Sequence, residues 1–168
     1  SKSIEILERT PNVLTAMLQN LSAGWTFNNE GGETWNAYDI IGHLIYGEKT
    51  DWMPRMEIIL SNKQDKTFVP FDRFAQFENS KGKSLTRLLD EFKTLRQQNM
   101  DLLHAKNLTE KDLEATGLHP AFGEVSLAQL LSAWTVHDLN HIAQISRVMA
   151  KHYKTDAGPW VEYLSILH

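Results

Sequence analysis

The sequence predicts an all-α fold: a four-helix bundle with long connections and a short C-terminal helix. Three observations predict it. Four long segments repeat apolar residues at helical spacing, no segment alternates apolar and polar residues as a half-buried strand does, and two connections between the helical segments are long. The 168 residues suit one domain, 1–168, with a sizeable core.

The first helix is "PNVLTAMLQNLS", with Thr10 as its cap and Pro11 at the first helical position. Val13, Leu14, Met17, Leu18 and Leu21 form its apolar stripe. The preceding "SIEILER" reads as a short extra turn, and the glycine-containing "SAGWTFNNEGGETW" breaks the pattern. The second helix starts at Asn36, a capping residue with Asp39 three positions on, and runs through "AYDIIGHLIYGEKTDWMPRMEIIL". At about 100° per residue, Ile40, Ile41, Leu44, Ile45, Trp52, Ile58 and Ile59 share one face. His43 lies just off its edge, and Pro54 is expected to bend the helix or shift its register.

Ser84 caps the third helix, whose stripe is Leu85, Leu88, Leu89, Phe92, Leu95, Leu102 and Leu103. The next connection, residues 107–125, contains Gly117, Pro120 and Gly123 and reads as irregular. Ser126 and Gln129 form a capping box for the fourth helix, "LAQLLSAWTVHDLNHIAQISRVMAKHY". "PWVEYLSIL" closes the chain as a short helix on the flank of the bundle.

Composition excludes several function classes. The net charge is -4 and the basic residues are scattered, so a nucleic-acid backbone is not an expected partner. The absence of cysteine removes disulfides, thiolate metal ligands and a cysteine nucleophile, and fits a reducing cytoplasm. No apolar run approaches the roughly 20 residues of a membrane span, and "SKSIEILERT" carries no hydrophobic signal segment. A chain that starts at Ser1 without methionine reads as trimmed. The expected setting is the cytoplasm, with a small-molecule substrate and no membrane partner.

The chemistry-bearing motif is "HDLNH", His137 to His141. Seven histidines in 168 positions give roughly 0.3 such pairs by chance, so the spacing alone is weak. Direction adds weight. Leu127, Leu131, Trp134, Ile145, Val148 and Met149 define the inward face of the fourth helix; His141 falls inside that arc and His137 at its border. Buried imidazoles without partners cost about 1–3 kcal/mol each, and a divalent cation shared by an i,i+4 pair compensates them. His43, mid-helix on a segment long enough to lie alongside, is the best third ligand; His104, His119, His152 and His168 lie near helix ends, in a loop or at the terminus. Two buried histidines at a helix border remain the alternative.

"HDLNH" also resembles the zincin motif with Asp for Glu, and Glu162 lies downstream as a possible third ligand. Asp138 is one methylene short for the general base and points into the inward stripe, which suits a supporting carboxylate better. Gln144 lies on the histidines' side and is placed to orient a ligand or to bond solvent. Glu48, Asp51 and Arg55 read as a partly buried network with an Asp51–Arg55 i,i+4 pair. Trp35, Trp134 and Tyr46 line the site's mouth or belong to the core. The four phenylalanines of "KTFVPFDRFAQF" (within 67–77) form a lid, a wall or a dimer contact.

"LERTPNVLTAML", "TWNAYDIIGHLIYGEKTDWMPRM", "HDLNHIAQI" and "PWVEYLSIL", in this order and spacing, resemble the DinB-like (DinB/YfiT) superfamily over nearly the whole chain. The resemblance implies a four-helix bundle whose divalent metal is held by one histidine of the second helix and two of the fourth, here His43, His137 and His141. It also implies thiol chemistry: related branches transfer bacillithiol to electrophiles or use mycothiol in isomerisation, and related bundles form homodimers. The expected activity is a metal-dependent thiol S-transferase acting on small electrophiles, the low-molecular-weight thiol cosubstrate coming from outside because the chain has no cysteine. A non-catalytic metal-binding or stress-associated interaction module and a metal-dependent hydrolase stay open. Three imidazoles accept Zn, Ni, Fe or Cu.

Overall fold

A computed structural model describes residues 2–168. The helices form in order from the signals that predict them. α1 (Lys2–Leu7) leads almost directly into α2 (Thr10–Leu18). Thr10 is therefore not a cap. The chain arrives already helical, with Arg9 at φ -86°, ψ -31°, and the Thr10 hydroxyl donates to the Ile6 carbonyl at 3.1 Å. A short α3 (Ala23–Thr26) precedes α4 (Ala37–Thr50). Asn36 and Asp39 close a reciprocal capping box there, at 2.9 and 3.2 Å.

The second predicted helix is interrupted at a single residue close to the expected Pro54. α4 ends at Thr50, and α5 (Trp52–Leu60) resumes past Asp51, at φ -109° and ψ -73°. Pro54 explains the position: it has no N–H to give to Thr50, and its ring collides with that carbonyl.

α6 (Ala75–Ser80) packs across α4, and α7 (Leu85–Ala105) starts at the predicted Ser84 cap. Of the stripe expected on α7, Leu88, Leu89, Phe92 and Leu103 are buried, whereas Leu102 faces solvent. The buried row continues instead through Arg96 and Asn99. The connection after α7 is more regular than expected: α8 (Glu110–Glu114) leads into a hairpin of β1 (Thr116–His119) and β2 (Gly123–Ser126). The hairpin pairs Thr116 with Ser126 through His119 with Gly123. Four residues per strand give too little alternation to read, so this small sheet escapes periodicity. α9 (Leu127–His152) begins at the predicted Ser126–Gln129 box, and two 3₁₀ turns, Gly158–Tyr163 and Ser165–Leu167, replace the expected terminal helix.

The bundle is made of α1–α2, α4–α5, α7 and α9, with α4 against α7 and α9, α2 against α7 and α1 against α9. Its apolar core falls into two clusters. One gathers Leu14, Ile40, Ile41, Leu44, Leu88, Phe92 and Ile145; the other gathers Trp52, Met56, Met100, Leu127 and Trp134. Along each long helix the residues between the clusters are polar and buried: Glu48, Arg96, Asn99, Asp138 and His141. A polar layer thus crosses the middle of the bundle. No helix among the described residues is long and apolar enough to cross a membrane.

Candidate metal centre

The helical periodicity of α4 and α9 brings His43, His137 and His141 together on one side of the polar layer. His43 Nε2 stands 3.1 Å from His137 Nε2, which stands 3.1 Å from His141 Nε2. His43 and His141 are 8% and 6% exposed. Three imidazole nitrogens bound to one ion at about 2.0–2.1 Å lie roughly 3.0–3.4 Å apart, so the cluster already has the spacing of a three-histidine site.

Protonation agrees. Burial, reinforced by the charges of His141 and Arg73, holds the His43 ring down at about 4. Burial and the neighbouring rings hold His137 down at about 2. Burial also lowers His141, against the opposing pull of Gln144 and Asp138. Near neutral pH all three rings are uncharged, the form that ligates. His141 Nδ1 donates to Gln144 Oε1 at 2.8 Å, so its proton sits on Nδ1 and its Nε2 lone pair faces the other rings. Nδ1 of His43 and of His137 have no protein partner. Three neutral rings joined by two Nε2–Nε2 contacts at His137 share at most one proton per contact. A cation between them would accept all three lone pairs at once. The residues therefore fit a divalent metal.

The surroundings are aromatic. Trp35 lies 4.9 Å from His43 between ring centroids, Phe71 meets the same ring edge-on at 5.3 Å, and Trp52 lies 5.1 Å from His137. Phe71 also contacts Tyr46, at 5.0 Å. The Phe-rich segment is thus a wall of the site, with Phe77 edge-on to Trp35. Trp134 is core: it stacks on Trp52 at 5.7 Å and donates to Glu48.

The carboxylates are elsewhere. Asp138 faces away from the rings toward Arg96, and Glu162 is an exposed residue of a 3₁₀ turn outside the cluster, which removes the zincin arrangement. His104 pairs with Glu8, His119 stacks on Phe122, His152 meets Asn28 and His168 meets the Val161 carbonyl; none reaches the cluster. Asp51 and Arg55 pair as predicted, whereas Glu48 belongs to a separate set with Arg96, Asn99 and Trp134. Arg96 was not among the predicted residues. Its signal was a gap in the α7 stripe between Leu95 and Leu102, where the helical period still points inward.

Fold and site together define a four-helix bundle carrying an internal three-imidazole cluster. The chain belongs to the DinB superfamily, whose family model matches residues 6–145. Relatives in Bacillus cereus and Bacillus thuringiensis subsp. konkukian, each named "Putative metal-dependent hydrolase", are 27% identical over 150 residues. These matches cover 85% of this chain and 81% of theirs. Among solved structures, YfiT from Bacillus subtilis, which has an unusual four-helix bundle topology, superposes with a TM-score of 0.74. It shares 19% identity, over 93% of this chain and 86% of YfiT, and shows the fold.

Proposed function

We propose that His43, His137 and His141 hold one divalent metal ion through Nε2, and that the protein is a metal-dependent thiol S-transferase acting on small electrophiles. The convergence of three neutral imidazoles, two buried and one half-buried, is the observation that carries the metal reading. A bound ion supplies Lewis acidity at an open coordination position, where it lowers the pKa of a thiol or a water.

What favours a thiol is the character of the chain's own groups. No carboxylate among the described residues is hydrogen-bonded to the three rings. A thiol needs little help from a general base once its pKa is lowered, whereas hydrolysis gains more from one. Half-buried Trp35 and Phe71 offer apolar surface to an electrophile and restrict water. In the transfer the sulfur contributes the electron pair of the new C–S bond, the leaving group departs with its own pair, and the thiol proton passes to solvent. The second reading, a metal-dependent hydrolase, is favoured by the names of the Bacillus relatives.

Two measurements test the proposal. Protein purified without a nickel column should contain close to one metal ion per chain by elemental analysis, and His137→Ala and His141→Ala should lose it; equal metal in all three would sink the site. The metal-loaded protein should then accelerate coupling of a small electrophile to a low-molecular-weight thiol. Acceleration of electrophile or ester hydrolysis alone, indifferent to thiol, would replace the transferase with the hydrolase.

A further inference from the structure

The wall of the site carries a cation that the metal centre does not use. Arg73 lies in the Phe-rich segment, two residues after Phe71, whose ring meets His43. Its guanidinium is held over Trp35, 5.9 Å from the ring centroid, and over Phe74 at 5.7 Å. Trp35 in turn packs on His43, so the charge stands one aromatic ring from the histidines. Three of the other five arginines are spent on carboxylates, Arg55 on Asp51, Arg96 on Asp138 and Glu48, Arg147 on Glu30, and the exposed Arg9 and Arg87 lie outside the Phe-rich segment. Arg73 makes no ion pair and no hydrogen bond among the described residues, and it remains exposed.

We infer that Arg73 is the recognition residue for an anionic group, a carboxylate, on the small molecule that reacts at the three-histidine site; this rests on the functional reading above. Cation–π contacts fix the guanidinium plane without consuming its N–H donors, leaving a fork that matches the two oxygens of a carboxylate. The setting makes the charge selective. The chain is acidic overall, at -4, so its general field disfavours anions, and a local cation beside the site decides which small molecules gain by entering. The distance of one ring suits a compact ligand, its carboxylate a few bonds from the reacting atom. Arg73 binds and orients; it does not touch the metal.

The experiment uses zinc-loaded protein and two ligand pairs that differ in charge but not in length: 3-mercaptopropionate with 3-mercaptopropan-1-ol, and propionate with propan-1-ol. Binding is read from the Trp35 indole N–H resonance, assigned with Trp35→Phe, in wild type, Arg73→Met and Arg73→Lys. In wild type the acid of each pair should bind about tenfold more tightly than the alcohol, a charge-assisted contact's worth. Arg73→Met should bring the ratio to about one while leaving the alcohols' affinities within about twofold, and Arg73→Lys, which keeps the charge without the fork, should fall between. No preference in wild type, or an unchanged preference in Arg73→Met, overturns the inference. A failure of the functional reading looks different: loss of both thiols' advantage over the thiol-free pair defeats the thiol chemistry. Failure to take up zinc defeats the metal centre. In both cases the propionate ratio still decides Arg73.

Discussion

Arg96 and Asp138 form a two-pronged ion pair in the centre of the bundle, Nη1 to Oδ2 at 2.6 Å and Nη2 to Oδ1 at 3.0 Å. Both side chains are almost entirely buried. The same guanidinium donates to Glu48 Oε1 at 2.7 Å and to the Leu7 carbonyl at 2.8 Å, so one side chain ties α1, α4, α7 and α9 together. Asn99 adds a hydrogen bond to Glu48 at 2.8 Å and Trp134 another at 3.1 Å. Asp138 follows His137 and Glu48 lies five residues after His43, so this clamp sets the register in which α4 presents its histidine to those of α9. With all three groups ionised it also leaves one net negative charge beside the histidine cluster, favourable to a cation there.

Removing Arg96 should be far worse than removing the whole set. Arg96→Met strands two buried carboxylates and should cost about 3–5 kcal/mol in urea denaturation at neutral pH. Adding Glu48→Gln and Asp138→Asn takes those charges away and should recover most of the loss. A triple variant as unstable as Arg96→Met would show that the guanidinium acts through packing alone.

Metal should stabilise the fold only where the cluster is complete. At a free zinc concentration one hundred times Kd, wild type should gain about 2.7 kcal/mol by linkage. His137→Ala, which removes the ring that contacts both others, should gain almost none. Calorimetric melts with and without zinc measure this, and an equal gain in the variant would disprove ligation by His137.

The metal-free protein should lose stability as pH falls below 6.5. His43, near 4, and His137, near 2, are both depressed from 6.5, so the unfolded chain binds protons that the folded one refuses. The stability these rings hold is fully present above 6.5 and declines as pH falls toward 4 and on toward 2. Each contributes a slope of up to about 1.4 kcal/mol per pH unit. Asp51 works in the opposite sense: burial, partly offset by Arg55, raises it to about 6, so between 3.8 and about 6 it favours the fold at the acid end. His43→Ala/His137→Ala should flatten the acid slope and Asp51→Asn should steepen it, as read by denaturation at a series of pH values.

Gly117 should resist any side chain. A Cβ there would stand 2.5 and 2.8 Å from ring atoms of Phe68 and 2.9 Å from Ile59, so β1 lies flat on α5 and the Phe-rich segment only because the position is glycine. Gly117→Ala should cost about 1–3 kcal/mol through overpacking. Phe68→Leu in the same chain should return part of it, and a neutral Gly117→Ala would contradict this packing.

Much of this was legible in local pattern. The helical stripes, the capping pairs Asn36–Asp39 and Ser126–Gln129, and the i,i+4 spacing of His137 and His141 depend on residues within a turn or two of each other, where helix geometry alone sets direction. His43 could be added because the bundle class requires facing helices. Residues far apart in the chain were decided only by packing. Arg96 finds Asp138 forty-two positions away and Glu48 forty-eight away, and no local period says which carboxylate a buried guanidinium will meet. The same holds for Phe71 against His43 and for Arg73 over Trp35, since a connection carries no periodicity to aim its side chains. The sequence by itself determined the stripes and caps of the long helices and singled out the three histidines as candidates. The tertiary structure alone decided the charge clamp beside them and the aromatic wall over them, because burial and ion pairing between distant segments exist only once the helices have packed.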